Sequence, residues 1–450
     1  MSDDSRRWAV LREAWRTQLW PIPALGVLTA AGLGIALPAL DARVVGTFPD
    51  AVTGYLFSGG PDAARTVLSV IAGSLVTVTS LTFSLTVVTL QLASSQFSPR
   101  LLRTFTRDRV VHATLALLLA TFTYALTVLR TVRASLDSPS AFVPQLSVSL
   151  AFILGLGSVL GLVVFLAHLA RQLRVESLLK EVHAETSEVM DNLLTGSPAD
   201  EGEPVAPTTP ATAVPLRMGR SGFLTSTDER ALLAAAAGAD AVVSIDRLPG
   251  EFLVAGTPVG NVWRNDGGAL DEETVTQVQQ RVRKAIRTGF ERTATEDIAF
   301  GLRQLVDVAV KALSPGVNDP TTAVHALGYI SALLCTAAGR DLGPSLVRDD
   351  QGQVRVALRR PDLRTLLDLA LTQPRHYGVG DPEVTTRLFS LLRELAWSTS
   401  RPGHQRLIEE HLGILVAATE RQELLDADRL RVTVEAGLVR QVLLEAGAHG

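Results

Sequence analysis

The sequence is poor in cysteine and lysine. Its single cysteine, Cys335, excludes an intrachain disulfide and any cysteine-rich metal site, and its apolar helical surroundings mark it as a core residue. Lysine occurs only at Lys180, Lys284 and Lys311; the preference for arginine reads as genome bias and carries no functional weight. No lysine lies between Lys180 and Lys284, so that segment has no attachment point for lipoate or biotin. His376, His404 and His411 do not fall at the spacing of a HExxH or similar ligand set. There is no glycine-rich phosphate loop, no nucleophile elbow and no carboxylate pair in a supporting context. The expectation is therefore a protein without enzymatic activity, cofactor or metal. A net charge of −4 gives no reason to expect a nucleic acid as partner.

The most informative scarcity is local. Residues 66 to 99, between Arg65 and Arg100, contain no charged side chain. They do contain Thr77, Thr79, Ser80, Thr82, Ser84, Thr86, Thr89 and Gln91. A bilayer core of about 30 Å takes roughly 20 apolar residues, so the stretch is long enough to cross as a helix. Lipid alone does not explain its hydroxyls. Thr77, Ser84 and Gln91 recur every seven residues, as do Thr82 and Thr89, and together the polar positions cover more than half the helix circumference. Two readings follow. In one, this is a central helix whose hydroxyls bond to backbone and neighbours. In the other, one copy from each subunit of a homo-oligomer lines a pore with Thr77, Ser80, Ser84 and Gln91.

Three further apolar runs, Pro21 to Leu40, Val110 to Leu129 and Leu146 to Ala170, are also long enough to cross a bilayer. Residues 1–20 carry four arginines and an amphipathic set of tryptophans and leucines, the pattern of an interfacial segment. Arginines also cluster between Arg100 and Arg109 and after residue 170, whereas the first loop has only Arg43 against two aspartates. By the positive-inside rule both termini are expected on the cytoplasmic side of the membrane. No Asp, Glu, Lys or Arg falls within the four runs, which argues against a proton relay. His112 and His168 lie near their ends and are expected to pack at the interface.

Two blocks are distinctive. One runs from Ser80-Leu-Thr-Phe-Ser84 through Gln91-Leu-Ala-Ser-Ser-Gln-Phe-Ser-Pro-Arg100 to Arg103. The other is Glu296-Asp297-Ile-Ala-Phe-Gly301-Leu-Arg-Gln304, continuing to Ser314-Pro-Gly-Val-Asn-Asp-Pro-Thr321-Thr-Ala323. Both resemble the recurring blocks of the bacterial predicted membrane proteins grouped as domain of unknown function 2254. The resemblance implies integral membrane character and no particular activity, catalytic residue or ligand.

The remainder divides by composition. Residues 171–194 continue the fourth run as a charged helical extension, and 195–215 form a proline-rich linker. Residues 216–264 suggest a small α+β unit. Within it a helix capped by Thr227 is followed by strands 241–245 and 251–254, and Pro249 to Val262 is similar to a barrel-sandwich hairpin. From 265 to 450 the pattern is helical. A helix is expected from Glu272 to Thr288, and Thr293 with Glu296 suggests a capping box for the next one. Asp319-Pro320 opens another. The turn between these two could alternatively hold an anion or a partner through Arg303, Asn318, Asp319, Thr321 and Thr322.

The expected fold class is thus a membrane α-helical protein with four transmembrane helices (21–170) and a cytoplasmic α+β domain, mostly helical with a small β unit. The expected function is an oligomeric channel for ions or small solutes, in contact with membrane lipid and gated by the cytoplasmic domain. The alternative is a non-conducting sensor or scaffold whose cytoplasmic domain binds a ligand or partner.

Overall fold

A computed structural model describes residues 20–44, 56–96, 108–133, 142–172, 174–194 and 205–447. The amphipathic segment 1–19, most of the Arg100–Arg109 cluster and most of the proline-rich linker lie outside the described residues. The chain divides into two compact units, Met1–Arg174 and Val175–Gly450.

Among its described residues the first unit contains four long helices, α1 (Pro21–Val44), α2 (Pro61–Gln96), α3 (Arg109–Leu129) and α4 (Gln145–Gln172). Each coincides with one of the apolar runs, and each is long and apolar enough to cross a membrane. The hub is α3, which packs against α1, α2 and α4. Of its most apolar window 44% is buried, against 22% for α2. Within one chain the hydroxyl-rich second helix is therefore not the hub, which corrects the reading that made it central there.

Small residues let these helices approach. A Cβ on Gly34 would lie 2.7 Å from Thr127 Cβ, and one on Gly26 would lie 3.2 Å from the Ala116 carbonyl oxygen, so α1 presses backbone-close onto α3. Between α3 and α4, Ser158 donates to Thr121 Oγ1 at 3.0 Å.

Of the two aspartates expected in the first loop, Asp41 and Asp50, the first does not lie there: α1 continues through Asp41 and its side chain is buried. The carboxylate caps the start of α4, accepting from Ser147 N at 3.0 Å, Ser147 Oγ at 2.7 Å and Leu146 N at 3.3 Å. A carboxylate suits a helix N-terminus, where unpaired N–H groups concentrate positive potential. Asp41→Ala strips this cap from a buried helix end, and the expected loss is about 2 kcal/mol. Unfolding in detergent checks this, with Asp41→Asn expected to lose less. At the opposite end of the helices Asp108 caps α3 through Val110 N at 2.8 Å. The same carboxylate is reached by His168 and Gln172 of α4, so His168 packs at the helix ends as the sequence suggested.

The second unit begins with α5 (Val175–Leu193). Then follow β1 (Val214–Arg217), β2 (Gly222–Thr227), α6 (Glu229–Ala237), β3 (Ala241–Ile245), β4 (Phe252–Leu253), β5 (Pro258–Arg264), α7 (Glu272–Ala285) and β6 (Ile286–Gly289). The helical part comprises α8 (Ile298–Ala312), α9 (Pro320–Ala338), α10 (Leu363–Gly378), α11 (Pro382–Ser398), α12 (Pro402–Glu420) and α13 (Asp426–Gly447), interrupted by β7 (Ser345–Arg348) and β8 (Val354–Leu358).

Five strands form one sheet in the order β1-β5-β3-β8-β7, and three form another in the order β4-β2-β6. This corrects three expectations. The strands β4 and β5 belong to different sheets, so no barrel-sandwich hairpin exists. The α7 helix stops at Ala285, and Ile286–Gly289 pairs with β2 instead of extending it. The larger sheet also recruits β7 and β8, with β8 parallel to β3, from a region expected to be wholly helical. Leu216, Val243, Ile245 and Val262 from the sheet, with Leu232 and Val278 from α6 and α7, form the buried core there.

The helices pack around α9, which contacts α5, α8, α10 and α11. Its composition alone would let it cross a membrane, making it the fifth such helix among the described residues. Half of its apolar window is instead buried within the second unit.

Candidate functional site

The hydroxyls of α2 separate into two sets. Thr82, Thr86 and Thr89 are buried, and each donates to the carbonyl four residues earlier at 2.8 to 2.9 Å. Thr79 does the same at 2.6 Å. Such back-bonding satisfies a hydroxyl without a partner helix. The opposite face differs. Asp62, Thr66, Ser69, Gly73, Thr77, Ser80, Ser84, Val87 and Gln91 are all exposed, and at 3.6 residues per turn they fall within about 40° of one line along the helix. Val70 and Val88 flank this line on one side and Val76 and Phe83 on the other, all exposed. The two seven-residue series seen in the sequence thus lie on opposite sides, Thr82 and Thr89 packed, Thr77, Ser84 and Gln91 outward.

In the second unit the Glu296–Gln304 block opens α8. Asp297 is its N-cap, accepting from Phe300 N at 3.0 Å. Its Oδ2 takes Arg292 Nε at 2.9 Å and Nη2 at 2.7 Å, and the Arg292 guanidinium lies 5.4 Å from the centre of the Phe300 ring. Glu296 forms no capping box with Thr293; it accepts from Thr227 N at 3.0 Å and Thr227 Oγ1 at 3.2 Å at the end of β2. Gly301 is where α5 meets α8: a Cβ there would sit 1.8 Å from Thr186 Oγ1. On the neighbouring helix, Tyr329 of α9 packs its ring 5.3 Å from that of His183 on α5. Farther along, Arg340 donates to the Met190 and Leu194 carbonyls at 3.3 Å and also pairs with Asp191.

The sequence profile of a family described as predicted membrane protein, domain of unknown function 2254, matches residues 16–394. The chain belongs to this family. Uncharacterized proteins of Mycobacterium tuberculosis and Mycobacterium bovis are each 34% identical to it over 444 residues, covering 98% of this chain and 84% of theirs. No solved structure matches.

The two blocks singled out in the sequence thus have distinct physical settings. The first carries Ser80, Ser84, Val87 and Gln91, the later part of the outward stripe of α2, and continues beyond the described residues; the second fixes the start of α8 and its contact with α5. The continuation of the second block, Ser314 to Asp319, is a tight turn between α8 and α9. Asn318 adopts a left-handed φ of 50°, and the amides of Asn318 and Asp319 return to the Ser314 and Ala312 carbonyls at 2.9 Å. Asp319 then caps α9, accepting from Thr322 N at 3.0 Å and Thr322 Oγ1 at 2.6 Å. These bonds hold its carboxyl below the usual range, so the start of α9 already carries its own anion. Thr321 is exposed beside it. Arg303 is not nearby: it lies near the other end of α8, about 15 Å along the axis from the turn, where its Nη1 donates to Gln373 Oε1 at 3.0 Å. The five residues grouped from sequence therefore occupy two places.

The sequence pattern assigns Asp297 and Gly301 no role beyond their place in the second block. A glycine inside a helix costs about 1 kcal/mol relative to alanine, and that cost was the available signal for a close approach. Burial pushes the Asp297 carboxyl up to about 6, with Arg292 opposing the shift. A group raised above its unfolded value of 3.8 holds its proton longer in the folded state, so its contribution is fully present below pH 3.8 and is lost as pH rises through about 6. The loss is on the order of 3 kcal/mol. Asp297→Asn is expected to flatten this segment of the curve of unfolding midpoint against pH, measured on the full chain in detergent.

Proposed function

We propose that this protein is an oligomeric pore of the bacterial inner membrane, in which α2 from each copy turns its small polar stripe toward a shared water path. In this reading α1 to α4 cross the bilayer, and both termini and the second unit are cytoplasmic. The observation that carries it is the exposed line from Asp62 to Gln91. Among the described residues Thr77, Ser80, Ser84 and Gln91 spend no side-chain hydrogen bond within the chain, whereas the buried Thr82, Thr86 and Thr89 back-bond, as does Thr66 at the Asp62 end of the line. Unspent amide and hydroxyl groups are costly in hydrocarbon and suited to water or ions. The flanking Val70, Val76, Phe83 and Val88 supply the apolar shoulders on which neighbouring copies would close the ring.

The arginine distribution supports the orientation, and the absence of an ionisable side chain on α2 between Arg65 and its end supports passive flow over a proton-driven cycle. Native mass measurement of the purified protein in lipid nanodiscs, paired with solute flux from vesicles, tests the proposal. A closed homo-oligomer with flux is expected. A monomer without flux leaves the stripe without a pore.

A further inference from the structure

A cavity of about 490 Å³ opens in the second unit between the loop Leu248–Glu251, the start of α8 and one face of α10. This is within the usual range of small-molecule sites, about 300 to 1,000 Å³. We propose that this cavity binds a small organic cation, an amine with an apolar body. The site stands apart from the α2 stripe and does not depend on the pore.

Its lining sets the class of ligand. Leu248, Pro249, Ile298 and Leu369 give apolar walls. Four carboxylates, Glu251, Glu296, Asp297 and Asp368, face two guanidinium groups, Arg292 and Arg303, so the lining is net acidic. The guanidinium groups are also engaged: Arg292 gives Nε and Nη2 to Asp297, and Arg303 gives Nη1 to Gln373. An anion at the helix start would compete with Asp297, which already occupies the Phe300 N–H. Glu251, on the loop, and Asp368, on α10, are the lining carboxylates that cap no helix start and hold no bidentate partner. Glu251 is only loosely held, 3.5 Å from Arg247. Asp368 has a side chain 59% exposed, with His411 Nε2 3.6 Å away, an imidazole that burial keeps toward its neutral form, and the Arg364 charge acting on it from one turn earlier.

The loop is built to this floor. Gly250 has φ 83°, and a Cβ there would fall 1.9 Å from Asp297 Oδ2 and 2.6 Å from Arg292 Nε. Only glycine lets the loop lie directly over the ion pair. An occupant would therefore touch the loop, the α8 start and α10 together. Because α8 carries Gly301 against α5 one turn farther on, occupancy would brace the helix on which α5 rests.

The test uses the full chain in detergent, with putrescine and spermidine as cationic probes and glutarate as an anionic one. Thermal shift and calorimetry are expected to report saturable binding of an amine. The double variant Glu251→Gln/Asp368→Asn should weaken it at least tenfold, while Asp426→Asn/Asp428→Asn at the start of α13 should leave it unchanged. Equal loss in both double variants would reduce the effect to general charge attraction and overturn the proposal. So would absence of amine binding, or binding of glutarate in preference. Because none of these readouts involves flux, failure here is distinguishable from failure of the pore.

Discussion

Replacing Gly301 by valine is expected to destabilise the second unit by about 3 kcal/mol and to loosen α5. The reason is geometric. The added Cβ would sit 1.8 Å from Thr186 Oγ1 and 2.9 Å from Thr186 Cβ, and neither is the far end of a flexible side chain. Thr186 is itself fixed, buried and bonded to the Val182 carbonyl at 2.6 Å. The two helices must therefore separate, exposing the apolar face of α5 formed by Leu178, Leu179, Val182 and Met190. Hydrogen exchange of the α5 amides would read the separation directly. A double-mutant cycle isolates the contact: Thr186→Gly should recover most of the loss in Gly301→Ala, apart from the roughly 1 kcal/mol of a second helical glycine. No recovery would show that Gly301 serves another purpose.

The second large effect concerns α2. Ser84→Phe is expected to reduce flux at least tenfold while changing the stability of a single chain by no more than about 0.5 kcal/mol, because the position is exposed. Thr82→Phe, two residues away, is expected to do the reverse and disrupt the helical unit. Thr82 is fully buried, with 0% exposure, and a phenyl ring has no space on that face. The contrast matters because both residues are hydroxyls in the same block. If Ser84→Phe unfolds the protein, the outward face is a packing surface. If Thr82→Phe is silent, the buried assignment is wrong.

Much of this was legible in the sequence because the signals are local. Long charge-free runs, each with an arginine at one end or both, mark helices α1 to α4. Asp319-Pro320 and Asp381-Pro382 mark helix starts, and Asp319 and Asp381 are the N-caps found. The two seven-residue series on α2 fall on opposite faces, one exposed and one buried. What failed depended on distant partners. Residues 286–289 continue a helical pattern, yet they pair with β2 some sixty residues earlier. The parallel partner of β3 lies more than a hundred residues away in β8. Hydroxyl content drew attention to α2 as the centre, whereas α3 holds that place through contacts with the glycines of α1. Asp41 lay one residue past the expected end of its span, and only the neighbouring α4 start explains why it is buried.

In the candidate sites, Thr77, Ser80, Ser84 and Gln91, expected from sequence as a pore lining, share one exposed line. The sequence grouped Arg303 with the α8–α9 turn because the two lie in one continuous block, although a helix between them sets them apart. Conversely, the cavity draws Glu251, Asp297 and Asp368 from three separated segments, and no linear pattern announces such a meeting.

The central claim is that the outward stripe of α2 faces water in an assembled pore. The direct measurement is single-channel current from the reconstituted protein carrying one cysteine, in a Cys335→Ser background, before and after a charged methanethiosulfonate reagent. Ser84→Cys on the stripe should lose most of its current on modification. Phe83→Cys, also exposed but about 100° around the helix, should be unaffected. Equal responses at the two positions, or no current from either under any voltage, tension or pH, would contradict the account.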